Sequence, residues 1–207
     1  MGLRPPVVYR LVAVLSRPVL HGLFRLRVQG AENVPASGGL VLACNHLSNF
    51  DPWPLGMPLY PGRWLRFMAK VELYWWPATI VLDAAGAFPV HRGRADVKAI
   101  ETATRLAREG NVVVMFPEGT RRRKGMVKKH QARARSGAAR IALAADVPLV
   151  PAAVAGTDRL LTLGPLRIAY GAPVELDDLR SSGDLRRSSQ EATDRLMARI
   201  AELEATL

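Results

Sequence analysis

The sequence predicts an α/β protein with a single mixed sheet flanked by helices and preceded by an N-terminal amphipathic helical segment. Three observations favour this fold class. Short apolar runs such as "LVLAC" (40–44) and "NVVVMF" (111–116) are typical of buried strands. Longer stretches with helical periodicity, such as 94–109, alternate with these runs. The chain has 207 residues, 49% of them hydrophobic, which is enough for one substantial core.

The other elements follow from the same patterns of periodicity and turn residues. Further strands are predicted over 24–30, 65–70, 86–90, 147–155 and 166–171. Helices are predicted over 71–85, 94–109, 135–146 and 188–207. The helix over 94–109 is expected to end at Gly110, because glycine commonly terminates helices.

The charge balance indicates an anionic partner. The formal net charge is +11, which suits nucleic acid, an anionic lipid surface or a phosphorylated substrate. Nucleic acid is not expected, because residues 117–135 contain no aromatic side chain that could stack on bases. The only cysteine, Cys44, excludes an internal disulfide and a multi-cysteine metal site. A transmembrane helix needs roughly 20 mostly apolar residues, and no such run is present.

The segment 7–25 is predicted to be amphipathic. Its basic side chains fall within about an 80° arc of one helical face, and the rest is mostly Val, Leu and Phe; they are Arg10, Arg17, His21 and Arg25. Pro18 is expected to split the segment into two short helices. The segment could lie in a membrane interface or dock on the core with a solvated basic face. We expect the first arrangement, with residues 1–25 associating with a membrane and 26–207 forming the α/β domain.

The stretch "CNHLSNFDPW" (44–53) places a histidine and an aspartate five residues apart. On a continuous helix His46 and Asp51 would lie about 140° apart and could not meet. Asp51 precedes Pro52, however, which is typical of a helix N-cap followed by proline at the first helical position. A strand–loop–helix corner could therefore bring the two side chains together. The alternative is that Asp51 only caps the helix and His46 is an ordinary loop residue.

Three other stretches carry polar or strand-terminal residues. "FPEGTR" (116–121) follows a buried strand, so Glu118, Thr120 and Arg121 are expected at the strand's carboxyl end, where open α/β sheets bind ligands. "GAFPVHR" places Arg92 just after another short strand. "VPLVPAAVAG" (147–156) is apolar with two prolines, which suits an edge strand or a cleft wall.

Taken in this order, the stretches resemble the glycerolipid acyltransferase family over roughly residues 40–156. "NHLSNFD" carries the family's His-x-x-x-x-Asp, "GAFPVHR" is similar to its Gly-x-x-Phe-x-x-Arg, and "FPEGTR" is its most recognisable signature. "VPLVPAAVAG" resembles the fourth block, and "FMAKVEL" a common Lys-x-Glu-Leu stretch. The chain departs from the family after "FPEGTR", where "RARSG" follows a longer insertion and replaces the usual Phe-Lys-x-Gly.

The resemblance implies transfer of a fatty acyl group from acyl-CoA or an acyl carrier protein thioester to the hydroxyl of 1-acylglycerol 3-phosphate, without a cofactor or metal. An imidazole has an ordinary pKa near 6.5, so His46 can take the hydroxyl proton as general base. Asp51 would fix its tautomer and stabilise the imidazolium. Cys44 and Ser48 lack the surroundings of a nucleophile, so a covalent acyl-enzyme is not expected. Alternatively, an enzyme of this family could acylate glycerol 3-phosphate, another lysophospholipid or a glycolipid. A more distant alternative is a non-catalytic protein that binds lipid or nucleic acid.

The acceptor's phosphate needs cationic partners. Guanidinium groups bind phosphate bidentately, so Arg92 and Arg121 are the expected clamps, with Lys70 as an additional point charge. The resemblance places Glu118 and Gly119 in the acceptor site as well. Glu118 is expected to order Arg121 or a glycerol hydroxyl, since a carboxylate does not bind phosphate.

Asn45, Thr120 and Pro151 are expected to support the motifs that contain them. The run 121–135 holds eight Arg and Lys residues and no acid. It could face an anionic membrane surface, the phosphates of coenzyme A or an acidic acyl carrier protein. Together with the segment 1–25, this run leads us to expect peripheral binding at the cytoplasmic face of the cell membrane.

Overall fold

The computed structural model describes residues 5–90, 97–119, 134–181 and 183–207. Its strands are β1 (Arg27–Gln29), β2 (Leu40–Cys44), β3 (Leu65–Lys70), β4 (Ala87–Val90), β5 (Val112–Met115), β6 (Leu149–Ala155) and β7 (Arg167–Tyr170). Within the described residues they form one sheet in the order β1-β7-β6-β2-β5-β3-β4. All neighbours run parallel except β6 and β7. The predicted single mixed sheet is confirmed.

Helices cover both faces of this sheet. They are α1 (Val7–Pro18), α2 (Pro52–Gly56), α3 (Ala78–Ala84), α4 (Val97–Arg108), α5 (Gly137–Ala145), α6 (Asp177–Arg180) and α7 (Leu185–Ala205). The central strand β2 is buried along its whole length, and its side chains alternate between two apolar clusters. Leu40 and Leu42 join the cluster on the α1 and α2 side, whereas Val41 and Ala43 join the cluster beneath α4, α5 and α7.

The prediction of a helix over 71–85 is wrong in its extent. Residues Val71–Leu73 form a single 3-10 turn, and α3 begins only at Ala78. Pro77 explains the late start, because a residue that precedes proline is disfavoured in the helical region. The helix predicted over 94–109 is observed from Val97 to Arg108, and residues 94–96 lie outside the described residues. Gly110 follows it with φ of +90°, as expected for a helix end.

Of the two roles predicted for residues 147–156, the edge strand is wrong, because β6 lies between β2 and β7. Pro151 is nevertheless compatible with this interior position. Its carbonyl accepts a hydrogen bond from the Gly171 amide on the β7 side, at 2.9 Å. The ladder with β7 begins one residue later, where Ala152 pairs with Tyr170. Pro151 therefore stands at the end of the β6–β7 ladder, where its missing N–H costs at most one terminal hydrogen bond.

The division of the N-terminal segment predicted at Pro18 is observed as a change of helix type, without a break in the helical chain. α1 ends at Pro18 and passes directly into a π-helical turn over Val19–Leu23. The turn closes with the Phe24 amide donating to the Val19 carbonyl at 3.1 Å. A wider turn next to the proline, which cannot donate a backbone hydrogen bond, keeps the chain helical.

This helix has one buried stripe and one exposed apolar face. Tyr9, Ala13 and Ser16 are buried, and the Trp53 indole donates to the Ser16 hydroxyl at 2.8 Å. Leu11 and Leu15 remain 57% and 69% exposed. The helix is thus docked on the core and still presents apolar side chains outward, while its separate assignment as a membrane-associating unit stays a prediction. No helix in the described ranges is long and apolar enough to cross a membrane.

Candidate active site

His46 and Asp51 meet just beyond the carboxyl end of β2. The His46 Nδ1 atom lies 2.7 Å from Asp51 Oδ2. Asp51 is fully buried, and His46 is 8% exposed. The chain turns between them, since the Asp51 amide donates to the Ser48 carbonyl before α2 begins at Pro52. With Nδ1 held by the carboxylate, Nε2 is the ring nitrogen that remains for a substrate.

The Asp51 carboxylate receives three further hydrogen bonds. The amides of Leu47 and Ser48 donate to Oδ2 at 2.8 and 3.0 Å, and the Thr157 hydroxyl donates to Oδ1 at 2.5 Å. Asp51 was expected to cap α2, but its side chain makes no capping hydrogen bond. The carboxylate points back toward the loop instead. The other half of the prediction is confirmed, because Pro52 occupies the first position of α2.

The "FPEGTR" stretch contributes an aromatic wall to the site. The Phe116 ring stacks on the His46 imidazole, with ring centroids 4.0 Å apart and planes 20° apart. Glu118 and Gly119 follow in a tight turn in which the Gly119 amide donates to the Phe116 carbonyl at 3.0 Å. Gly119 has φ of +68°, and the Arg135 side chain lies where a β-carbon at this position would point. The backbone conformation favours glycine here, whereas the flexible Arg135 side chain could move aside.

Asn45 joins the site to β6 and to the last helix. Its side-chain amide donates to the Val154 carbonyl at 3.0 Å, and its carbonyl oxygen accepts from the Val154 amide at 2.8 Å. The same amide nitrogen lies 2.8 Å from Glu204 Oε1 near the end of α7. Asn45 therefore extends the pairing of β2 and β6 by one residue and fixes the backbone that carries His46.

The remaining predicted residues have different outcomes. Lys70 is exposed at the end of β3, and the strand registers place it at the level of Asn45. Strand spacing puts it about 10 Å from the end of β2. Pro151 is buried inside β6 and takes part in packing. The structure leaves three predicted site residues outside its described ranges: Arg92, Thr120 and Arg121.

This arrangement can perform base catalysis on a hydroxyl. A buried carboxylate that bonds one imidazole nitrogen fixes the tautomer and stabilises the ring once it is protonated.

The Cys44 thiol is buried in the apolar cluster beneath α1 and α2 and lies 3.3 Å from Asn45 Oδ1. Among the residues that the structure describes, no group of three His, Cys, Asp or Glu side chains could hold a metal ion.

Comparison with known proteins identifies the class. The family model for acyltransferases matches residues 25–155. A 1-acyl-sn-glycerol-3-phosphate acyltransferase of Bacillus subtilis is 32% identical over 204 residues, covering 96% of this chain and 98% of the relative. The chain therefore belongs to the acyltransferase family, and the resemblance drawn from its motifs is confirmed. The protein is an acyltransferase.

Other relatives support the same family. A probable 1-acyl-sn-glycerol-3-phosphate acyltransferase of Mycoplasma pneumoniae is 32% identical over 160 residues, covering 72% of this chain and 55% of the relative. The crystal structure of the acyltransferase PlsC from Thermotoga maritima superimposes with a TM-score of 0.69. It is 22% identical, and the match covers 95% of this chain and 80% of that one. This likeness shows a shared fold.

Sequence reasoning missed three residues of the site. Phe116 stands at the head of "FPEGTR", and its stacking on His46 was not foreseen. Thr157 directly follows the apolar block 147–156, so its place after a strand end could have drawn attention. Glu204 lies in a polar helix 159 residues from Asn45, and no local signal marks it.

Thr157 offers a direct test of the Asp51 environment. Thr157→Val keeps the side-chain shape but removes the donor to Asp51 Oδ1. Hydrogen bonds to charged groups contribute about 1.5–3 kcal/mol, so we expect lower stability of that order and a roughly tenfold or larger fall in kcat. Denaturant unfolding and steady-state acyl transfer measure the two effects. Thr157→Ser retains the hydroxyl and should stay close to wild type; a Val variant with normal kcat would contradict this role.

Proposed function

We propose that the protein transfers a fatty acyl group from an acyl thioester to the free hydroxyl of 1-acylglycerol 3-phosphate, giving phosphatidic acid. The observation that carries the proposal is the buried His46–Asp51 pair, which leaves His46 Nε2 to act as base. The relatives from Bacillus subtilis and Mycoplasma pneumoniae, which are named for this acceptor, support the choice of substrate.

The reaction needs one base and no enzyme nucleophile. His46 Nε2 takes the proton from the acceptor hydroxyl as its oxygen bonds to the thioester carbonyl carbon. The tetrahedral intermediate then collapses, the carbon–sulfur bond breaks, and an ester forms. The imidazolium returns the proton to the departing sulfur, which leaves as a thiol. Asp51 stabilises the imidazolium between these two transfers, and Phe116 limits rotation of the ring.

We propose that the acceptor's phosphate is held along the carboxyl edge of the sheet. Lys70 stands on this edge about two strand spacings from the end of β2. Arg92 follows β4 by two residues, and Arg121 follows the turn at Gly119 by two residues. Glu118, on the same turn as Gly119, would orient Arg121 or a glycerol hydroxyl. A phosphate bound here would leave the acceptor's hydroxyl free to reach His46.

The donor is proposed to be acyl-CoA or an acyl carrier protein thioester. Residues 121–135 carry eight positive charges in the sequence and would attract the phosphates of coenzyme A, an acidic carrier protein or anionic lipid. We place the protein at the cytoplasmic face of the cell membrane as a peripheral enzyme, attached through the exposed apolar face of α1 and this basic run. The exposed Leu11 and Leu15 support such attachment.

A panel of acceptors tests the proposed substrate. Transfer of a labelled acyl group to 1-acylglycerol 3-phosphate should have the highest kcat/KM. Glycerol 3-phosphate, an uncharged monoacylglycerol, a lysophospholipid with a larger headgroup and a glycolipid serve as comparators. Running the panel with one acyl-CoA and one acyl carrier protein thioester identifies the donor. A higher kcat/KM for any comparator would overturn the assignment of acceptor while leaving acyl transfer intact.

Substitution of either residue of the catalytic pair, His46 or Asp51, should cause a large loss of rate. His46→Ala removes the base and should lower kcat by on the order of 10²–10⁴-fold. Asp51→Asn should also reduce kcat strongly, because an amide favours the wrong imidazole tautomer. Ser48→Ala is the matched control from the same loop and should retain activity, since no covalent acyl-serine is required. Near-normal turnover by His46→Ala would end this mechanism.

If these cationic residues bind the acceptor's phosphate, their removal should change the KM for the acceptor more than the KM for the thioester. Arg92→Ala, Arg121→Ala and Lys70→Ala should each raise the KM for 1-acylglycerol 3-phosphate, because each removes a positive charge from its phosphate. The KM for the thioester should change less. Initial rates with each substrate varied in turn provide both constants. If Arg121→Ala weakens only thioester binding, this arginine serves the donor instead.

Membrane attachment should have two components that differ in salt dependence. Deleting residues 1–25 would also remove Tyr9, Ala13 and Leu20 from the core, so exposed positions give a cleaner test. Leu11→Ser with Leu15→Ser should reduce binding to phosphatidylglycerol vesicles and make the remaining binding more sensitive to salt, because apolar insertion is largely insensitive to salt. Sedimentation of wild type and variant at low and high salt measures this. Wild-type protein that stays in the supernatant at low salt would refute attachment.

A further inference from the structure

The exposed apolar side chains of this protein are concentrated in two places. Eighteen large apolar residues are exposed in the described ranges, and thirteen of them lie either between Val7 and Leu23 or between Leu73 and Val81. The helices in these two segments, α1 and α3, contact each other. The two segments are therefore neighbours in the fold, and exposed apolar side chains concentrated in this way mark interaction sites.

The second segment, residues 73–81, is unusual for an exposed stretch. Its sequence "LYWWPATIV" contains no charged side chain. Trp75 and Trp76 are 62% and 81% exposed, and Ile80 and Val81 are more than half exposed. We call residues 73–81 the tryptophan segment. The sequence predicted a helix over 71–85, and in the observed α3 only Ala84, beyond this segment, is buried.

We propose that the tryptophan segment is a second bilayer contact that acts beside the exposed face of α1. This inference rests on the proposed peripheral attachment and extends it to a separate part of the chain. An indole ring combines a large apolar area with one N–H donor, which suits the boundary between headgroups and acyl chains. Two adjacent exposed tryptophans thus match the chemistry of a membrane interface.

The charges on α1 favour a bilayer with anionic lipids, whereas Glu72 and Asp83 flank the tryptophan segment. At about 100° per residue, the exposed apolar side chains of α1 lie opposite its buried stripe, and Arg10 and Arg17 lie between the two. Residues 1–25 contain no acidic side chain. Arginines at the rim of an apolar face can reach lipid phosphates while the face enters the acyl region.

The position of the tryptophan segment connects this contact to the site. It starts three residues after Lys70, at the same edge of the sheet as His46. Three residues of chain span at most about 10 Å. A bilayer that covers the segment would therefore lie close to the edge of the sheet that carries His46. The contact would allow the acceptor to reach His46 without leaving the interface entirely.

Vesicle binding by full-length variants tests this inference. We expect Trp75→Ser with Trp76→Ser to weaken partitioning into vesicles of equal phosphatidylcholine and phosphatidylglycerol by roughly tenfold or more, since two large apolar side chains no longer insert. Leu185→Ser is the matched control, because this exposed leucine begins α7 on the other face of the sheet. It should bind as wild type does. The melting temperature of each variant verifies the fold.

Fluorescence quenching at saturating lipid gives a second readout, which reports contact of the tryptophans with the acyl chains. Vesicles with brominated acyl chains should quench the wild-type tryptophan emission. Trp75→Phe with Trp76→Phe keeps the apolar area, so this variant should bind well and lose the quenching. Trp53 and Trp64 are partly buried against the core and remain as unquenched reference fluorophores. Quenching that persists unchanged in the Phe variant would overturn the inference.

The outcomes separate this inference from the proposed attachment. If Leu11→Ser with Leu15→Ser impairs binding and Trp75→Ser with Trp76→Ser does not, α1 attaches the protein and the tryptophan segment is not a bilayer contact. If wild type does not bind vesicles, the proposed attachment fails and the inference fails with it. Sedimentation velocity without lipid tests for a second copy of the chain. Wild type could form a dimer that Trp75→Ser with Trp76→Ser converts to monomer, while vesicle binding stays unchanged. That result would show that the tryptophan segment serves self-association and is not a bilayer contact.

Discussion

The hydrogen bonds of the Asp51 carboxylate hold the site together. A fully buried carboxylate is costly unless hydrogen bonds and a charge partner compensate for the lost water. Here two loop amides, the His46 ring and the Thr157 hydroxyl all face it. The same four contacts close the loop after β2 and connect it to the end of β6. The cost of burying the charge is thereby offset, and the imidazole is kept in one orientation.

The sheet explains why the other functional residues gather near this carboxylate. In a parallel sheet the carboxyl ends of the strands share one edge, and ligands bind there. β2, β5 and β3 place His46, Phe116 and Lys70 along that edge in succession. β6 runs parallel to β2, so the connection that follows β6 begins at the same edge and supplies Thr157. Parallel topology thus collects side chains that lie far apart in sequence.

The N-terminal helix is compatible with both arrangements that the sequence presented as alternatives. One stripe, including Tyr9 and Ala13, docks on the core as an ordinary terminal helix would. The opposite face leaves Leu11 and Leu15 in contact with solvent. A helix that is apolar on both of these sides can pack against the sheet with one face and contact the acyl chains of a bilayer with the other. Docking and interfacial binding are therefore compatible in this protein.

Local sequence determined much of the fold and the core of the site. Apolar runs located strands such as β2 and β5, because a strand buried on both faces needs continuous hydrophobicity. The spacing of His46 and Asp51, with Pro52 after them, located the turn in which they meet. Family motifs added the residues of the "FPEGTR" turn, although part of that block lies outside the described residues.

Tertiary structure alone decided which distant partners complete the site. Thr157 reaches Asp51 across 106 residues of sequence, and Glu204 reaches Asn45 across 159. It also decided that Asp51 faces the loop instead of capping α2, and that β6 is an interior strand. The physical reason is the same in each case. Propensity and periodicity describe neighbours along the chain, whereas these contacts depend on the order of strands in the sheet, which no local pattern encodes.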